Sequence, residues 1–164
     1  MNTYTKLTAY LPIIEADNFG KWIVDSKSKG TIESPIQMPY VTYSRMARHF
    51  IDDVYTFADE HQEYGLYSYN DILYENGIEW SIVSMSKVDT STLDGKCITA
   101  LLMGAIRADR FSEGALLHFF ETGTITKWLN RLKEIDEKKS LDWNKQPRLF
   151  LYTIVILNLW CDTV

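Results

Sequence analysis

The stretch LDGKCITALLMGAIRADRFSEGALLHFFETGTITKWLNRLKEI, residues 93–135, carries the clearest periodic pattern in the chain. Apolar residues recur in it at three- and four-residue intervals, which is the spacing of helices with one buried face. The first helix has a stripe from Leu93 to Ala105 and runs into residues 106–111, the second is capped by Ser112 and ends at Gly123, and the third begins at a Thr124 cap. Because the connections are short, the three helices are expected to pack together as one unit.

A further amphipathic helix is predicted upstream, after Pro39. Its apolar stripe consists of Met46, Ala47, Phe50, Ile51, Val54, Phe57 and Ala58. Thr42 or Ser44 is the expected N-cap. The acidic residues that fall away from the stripe are interpreted as a solvated face; they are Asp52, Asp53, Asp59 and Glu60.

The remaining segments predict short elements. Residues 7–16 suit a short helix in which Pro12 lies in the first turn or interrupts it. Extended pieces near residues 22–24 and 31–32, with glycine and proline around them, predict a small β-hairpin near residues 20–35. A helix over residues 69–76 is expected to end at Gly77, whereas residues 78–85 fit a strand or a helix. The fold class is therefore mainly α, a single compact helical domain with a small β-hairpin.

The sequence predicts that the chain has two parts. Residues 1–136 form the helical domain, and residues 137–164 form a linker and an apolar C-terminal segment packed on the same domain. The apolar run covers residues 149–161, which is shorter than the roughly 20 residues that a membrane-spanning helix needs. It is interpreted as a buried element or as the contact of a homo-oligomer, and no membrane partner is expected.

The composition indicates a globular protein of a reducing compartment. A chain of 164 residues suits one domain, and 13% aromatic residues argue against disorder in its body. The two cysteines, Cys97 and Cys161, lack a metal-site spacing, and no secretion signal opens the chain, so a cytoplasmic localisation is predicted. The formal net charge of -5 argues against broad contact with nucleic-acid phosphates.

The sequence lacks the motifs of common catalytic and cofactor sites. It contains no phosphate-binding loop, dinucleotide fingerprint, zinc-protease motif, serine-hydrolase elbow or calcium loop. The three histidines, His49, His61 and His118, have no metal-ligand spacing. No metal and no cofactor are expected, no catalytic residue is assigned, and a protein without enzymatic activity is favoured.

Arg107, Arg110 and Glu113 form the first candidate binding site. Positions three apart share a helix face, and two guanidinium groups can grip a phosphate or a carboxylate. A structural role is favoured, because the helix dipole stabilises cations in the last turn and Arg110 can pair with Glu113 across the turn. Anion binding stays open as the alternative.

Tyr43 and Arg45 form the second candidate binding site, beside Tyr40 and Ser44. They lie where an extended segment meets a helix N-terminus, at which free backbone amides can hold an anion. Ordinary capping explains Ser44 without a ligand, and this interpretation is favoured.

The segment IRADRFSEG at residues 106–114, followed by Gly123 and by LNRLKEI at residues 129–135, resembles a family of small uncharacterised bacterial and phage proteins. The family signature is an Arg-x-x-Arg-Phe-x-acidic-Gly turn and a final helix rich in arginine and leucine. The likeness spans about residues 5–136 and includes the upstream pairs Pro39-Tyr40 and Tyr43-Ser44. It implies no activity, but it implies a shared motif of Arg107, Arg110, Phe111, Glu113, Gly114, Gly123 and Arg131.

Three functional hypotheses follow. The leading one is a cytoplasmic protein-interaction or regulatory binding protein of bacterial or phage origin, acting on another protein through the turn from Arg107 to Gly114. The alternative is an enzyme or binder of a nucleotide or other phosphorylated small molecule, with Arg107 and Arg110 on the phosphate and Glu113 as acid or base. A nucleic-acid regulator ranks last, because the basic residues of the final helix alternate with acidic ones.

Overall fold

The computed structural model describes residues 3–14 and 18–145, and this part of the chain is mainly helical. Its elements in chain order are α1 (Thr5–Thr8), α2 (Leu11–Ile14), β1 (Gly20–Ile23), β2 (Tyr40–Tyr43), α3 (Arg45–Glu60), α4 (Tyr69–Glu75), α5 (Ile82–Lys87), α6 (Gly95–Ala108), α7 (Ala115–Glu121) and α8 (Thr124–Lys145). The strands β1 and β2 form a small antiparallel sheet. The predicted fold class is confirmed. The prediction for residues 149–161, and Cys161 with it, lies outside the described residues.

The helix α6 lies at the centre of the fold and packs against α3, α4, α7 and α8. Every residue from Cys97 to Ile106 is buried, so this helix is covered on all sides. The helices α7 and α8 close the core with large side chains, including Phe119 and Trp128, which are fully buried. The three-helix unit predicted from residues 93–135 is thus present.

The helix α3 also forms as predicted. The Ser44 hydroxyl accepts a hydrogen bond of 3.2 Å from the Ala47 amide and caps the helix, and the predicted stripe faces the core. One of the acidic residues is not simply solvated: Asp53 is half-buried and binds Lys6 and Tyr10.

The sheet pairs different residues from those expected. Trp22 lies opposite Val41, so the second strand is β2 and not residues 31–32. The connection over residues 24–39 is closed by Asp25, whose carboxylate accepts hydrogen bonds from the amides of Lys27, Ser28 and Gln37. Residues 31–32 belong to a turn of their own, in which the Ser34 amide donates to the Thr31 carbonyl at 3.1 Å. The β-forming sequence Tyr-Val-Thr-Tyr provides the partner strand instead.

Several element boundaries differ from the prediction. The helix α7 begins at Ala115 behind Gly114, whose φ is 81°, because the Ser112 amide still bonds to Ala108 and continues the preceding turn. The helix α8 continues to Lys145, through residues assigned to a linker from 137 onward. The expected helix over residues 7–16 is divided into α1 and α2, and residues 82–87 are helical.

The N-terminal segment is fixed to α8 by one buried carboxylate. Asp136 is 4% exposed and accepts hydrogen bonds from the amides of Thr3, at 2.9 Å, and Tyr4, at 2.8 Å. The contact places α1 and α2 beside α3 and α8, where they border a cleft.

Candidate functional site

The two arginines of the predicted site have different surroundings. The guanidinium carbon of Arg107 lies 5.6 Å from the centroid of the Tyr55 ring, which is a cation–π geometry. Arg110 is exposed, and its side chain makes no hydrogen bond or ion pair with any described residue. Neither arginine lines the cleft beside Tyr10 or the cleft beside Tyr64.

Glu113 does not pair with Arg110, contrary to the predicted contact across the turn. Its Oε1 accepts a hydrogen bond of 2.6 Å from the Val41 amide and so fastens β2 to the turn after α6. Gly114 supports the same junction: a Cβ built there would lie 2.4 Å from Cζ2 of Trp22 in β1. Glu113 and Gly114 therefore hold the sheet in place.

Tyr43 belongs to the same junction. Its hydroxyl donates a hydrogen bond of 2.6 Å to Oδ1 of Asp109 and accepts one of 3.3 Å from the Leu117 amide. The same carboxylate oxygen accepts a hydrogen bond of 3.1 Å from the Leu116 amide. Burial, and then the hydrogen bond to Asp109, raise the pKa of Tyr43 well above its ordinary value. Tyr43 is thus a protonated donor in a structural network.

Arg45 and Tyr43, which were predicted to form one binding site, belong to different surfaces in the structure. Arg45 is exposed on the first turn of α3 and lines a cleft with Lys6 and His49. The structure therefore joins Tyr43 to the region of Glu113 and assigns Arg45 to a different surface.

Aromatic side chains cover the surface beside Arg107. Trp80 meets Tyr69 and Phe111 edge to face, with ring centroids 5.3 Å and 5.7 Å apart. Burial raises the pKa of Tyr69, and the nearby Arg107 opposes that effect. Phe111 is 80% exposed. The group is called the aromatic–arginine surface below, and it consists of Tyr55, Tyr69, Trp80, Arg107 and Phe111.

Most of this surface was not identified from the sequence. Tyr55 lies off the apolar stripe of α3, and Trp80 lies in the segment left open between strand and helix. Asp109, which anchors Tyr43, stands between the two arginines of the motif. That position was a usable signal, since a carboxylate beside a helix end often accepts backbone amides.

Two basic residues of α8 are engaged in structural contacts. The Lys127 ammonium donates to the Val88 carbonyl. The Arg131 guanidinium donates to the Leu93 carbonyl at 3.1 Å and pairs with Glu134 at 3.0 Å. The charged groups of Lys127 and Arg131 are therefore bonded within the protein, whereas a nucleic-acid regulator would need them for phosphate contacts.

The described residues form neither a cluster of metal ligands nor a helix suited to span a membrane. Within residues 3–14 and 18–145, no three histidine, cysteine, aspartate or glutamate side chains are grouped so that they could hold a metal ion. None of the helices in these ranges combines the length and the apolar character needed to cross a membrane.

The structure defines the chain as a mainly helical domain with a small sheet fastened to the end of its central helix. Residues 1–138 match the model of a family of unknown function, DUF6508, and the chain belongs to this family. The resemblance to an uncharacterised family is thereby confirmed at the level of the domain. No curated protein and no solved structure matches the chain.

Proposed function

We propose that this protein is a cytoplasmic binding protein of bacterial or phage origin, and that another protein docks on its aromatic–arginine surface. The observation that carries the proposal is the exposure of Phe111, at 80%, next to the ring of Trp80 and directly after Arg110 in the chain. Tryptophan, tyrosine and arginine are the residues that contribute most to binding energy at protein interfaces.

The side chains of this surface are held in place before a partner arrives. The Trp80 indole donates a hydrogen bond of 2.9 Å to the Gly104 carbonyl, and Arg107 stacks on Tyr55. Side chains that are already ordered lose little conformational entropy on binding. The surface can therefore supply affinity without first rearranging.

The charges indicate the chemistry of the partner. Arg110 offers guanidinium N–H groups that no described residue accepts, and Arg107 lies three positions earlier, in the last turn of α6. Carboxylate groups are the preferred protein ligands of such donors. The expected partner has an apolar socket for Phe111 and acidic side chains around it.

The nucleotide hypothesis has less support. Arg107 already faces the Tyr55 ring, and Glu113, the expected acid or base, is bound to the Val41 amide. Neither side chain has the free geometry that a phosphate clamp with an acid–base group requires.

Affinity capture with matched variants tests the proposal. The tagged parent, Phe111→Ser and Tyr74→Ser are incubated with bacterial lysate, and the retained proteins are identified by mass spectrometry. Tyr74 is 85% exposed and lies outside the aromatic–arginine surface, so its variant controls for the loss of any exposed aromatic ring. A protein retained by the parent and Tyr74→Ser, but lost by Phe111→Ser, is expected. Identical retention by all three would refute the proposal.

A further inference from the structure

A cleft of about 640 Å³ opens between the N-terminal helices and α3. Its lining includes Lys6, Tyr10, Ile13, Arg45, His49 and Asp53. The volume falls in the range of roughly 300–1,000 Å³ that small-molecule sites occupy. Its residues take no part in the aromatic–arginine surface, so a function of this cleft is independent of the proposed function.

The carboxylate in the cleft is occupied by its neighbours. One oxygen of Asp53 pairs with the Lys6 ammonium at 3.0 Å, and the other accepts a hydrogen bond of 2.6 Å from the Tyr10 hydroxyl. Burial raises the pKa of Asp53, but the hydrogen bonds from Tyr10 and Lys6 outweigh it and leave the pKa below its ordinary value. Asp53 is therefore ionised, and it orients Lys6 and Tyr10 along one wall.

The α3 wall of the cleft carries one cation, Arg45, that is unpaired among the described residues. The Arg45 side chain makes no hydrogen bond or ion pair with any described residue, and His49 stands one helical turn further along α3. Because Lys6 is already paired with Asp53, Arg45 is the cation of this lining that is left to bind an anion.

Part of the cleft lining is apolar. Ala9, Ile13 and Met46 line it with the ring of Tyr10, and Ile13 is 46% exposed. The Tyr10 ring is fixed edge to face against Phe50, with centroids 5.2 Å apart. A lining that combines apolar groups with an unpaired cation suits a ligand with an acidic head and an apolar body.

We propose that this cleft binds a small organic acid whose anionic group contacts Arg45 and Lys6 and whose apolar body lies over Tyr10 and Ile13. The guanidinium of Arg45 offers paired N–H donors that match the two oxygens of a carboxylate. Asp53 positions Lys6 for the same anion and does not itself contact the ligand.

Backbone amide NMR spectra of the whole chain test the proposal with three probes. The probes are 2-naphthoate, its uncharged counterpart 2-naphthylmethanol, and acetate, which keeps the charge and lacks the body. Saturable shifts of amides in residues 6–13 and 45–53 are expected with 2-naphthoate. The affinity of each of the other two probes is expected to be lower by about tenfold or more.

Two charge reversals on α3 complete the test. Arg45→Glu is expected to weaken 2-naphthoate binding by about tenfold or more, because a charge-assisted contact is lost. Arg48→Glu makes the same change in net charge on an exposed neighbour that does not line the cleft, and is expected to leave the affinity within about twofold of the parent. The proposal is overturned by the absence of saturable shifts, by equal binding of 2-naphthylmethanol, or by equal weakening in the two variants.

Discussion

The Tyr43 hydroxyl lies 2.6 Å from Oδ1 of Asp109 and donates a hydrogen bond to it across 66 positions of sequence. The same two groups accept hydrogen bonds from the Leu117 and Leu116 amides at the start of α7. One pair of side chains therefore links the sheet, the turn after α6 and α7. Because the aromatic–arginine surface includes Phe111 of that turn, this pair also supports the proposed docking surface.

Replacing Tyr43 with phenylalanine is expected to lower the free energy of unfolding by about 1–2 kcal/mol, because the half-buried Asp109 loses a hydrogen bond. Urea unfolding followed by circular dichroism measures the change. Tyr40→Phe is the matched control on the same strand: its exposed hydroxyl makes no hydrogen bond with a described residue, so a change within about 0.5 kcal/mol is expected. Equal effects of the two variants would contradict the assigned role of Tyr43.

The same pair predicts a dependence on alkaline pH. Burial and then Asp109 raise the pKa of folded Tyr43, whereas an unfolded tyrosine ionises near pH 10. Above about pH 10 the folded state binds more protons than the unfolded state, so the stabilising contribution is complete below that pH and declines as the pH rises. The stability difference between the parent and Tyr43→Phe is expected to be smaller at about pH 11 than at about pH 8. A constant difference would show that Tyr43 titrates alike in both states.

The helices could be predicted because each carries its own periodic signal. Cys97, Leu101 and Ala105 mark one face by local spacing alone, and Ser44 is recognisable as a cap from its neighbours. The residues at which helices begin and end were harder to predict from the sequence. Ser112 was a plausible cap, but its amide bonds to Ala108, so α7 begins only after Gly114.

Contacts between distant segments could not be predicted in this way. The choice of Tyr40–Tyr43 as the second strand depends on Asp25 closing the connection and on Glu113 binding Val41. The position of Arg107 over Tyr55 depends on how α3 packs against α6. Such contacts depend on the tertiary arrangement, and no periodic pattern of residues in the sequence indicates them.

Gly114→Ala is expected to destabilise the fold more than Gly123→Ala. Both glycines have positive φ, of 81° and 70°, so alanine costs about 1–2 kcal/mol at each from backbone strain. Only Gly114 also lies against another side chain, that of Trp22, whereas a Cβ at Gly123 has no neighbour within 4 Å. The melting temperatures of the two variants measure the difference. In a Trp22→Ala background, Gly114→Ala is expected to lower the melting temperature by no more than Gly123→Ala does. A larger decrease that persists without the Trp22 ring would exclude Trp22 as its cause.

Asp25→Ala is expected to open the connection between the strands. The variant leaves three backbone amides without their acceptor, those of Lys27, Ser28 and Gln37. Trypsin should then cleave after Lys27 and Lys29 faster than in the parent, as mass spectrometry of a time course would reveal. Asp52→Ala removes an exposed carboxylate on α3 and should leave the cleavage rate unchanged. Equal rates in the parent and Asp25→Ala would show that the carboxylate does not order the connection.

Asp136→Ala is expected to destabilise the protein by about 2–4 kcal/mol, since it deprives the amides of Thr3 and Tyr4 of a charged acceptor in a buried place. Denaturant unfolding gives the magnitude, and hydrogen exchange of residues 3–10 shows whether the N-terminal segment opens first. Glu137→Ala, on the next and exposed residue of α8, controls for the loss of an acidic side chain and should change stability by less than about 0.5 kcal/mol. The N-terminal segment held by Asp136 also supplies Lys6 and Tyr10 to the cleft. Asp136→Ala should therefore weaken 2-naphthoate binding while leaving Arg45 in place. Full affinity together with rapid exchange of residues 3–10 would mean that the cleft does not depend on its N-terminal wall.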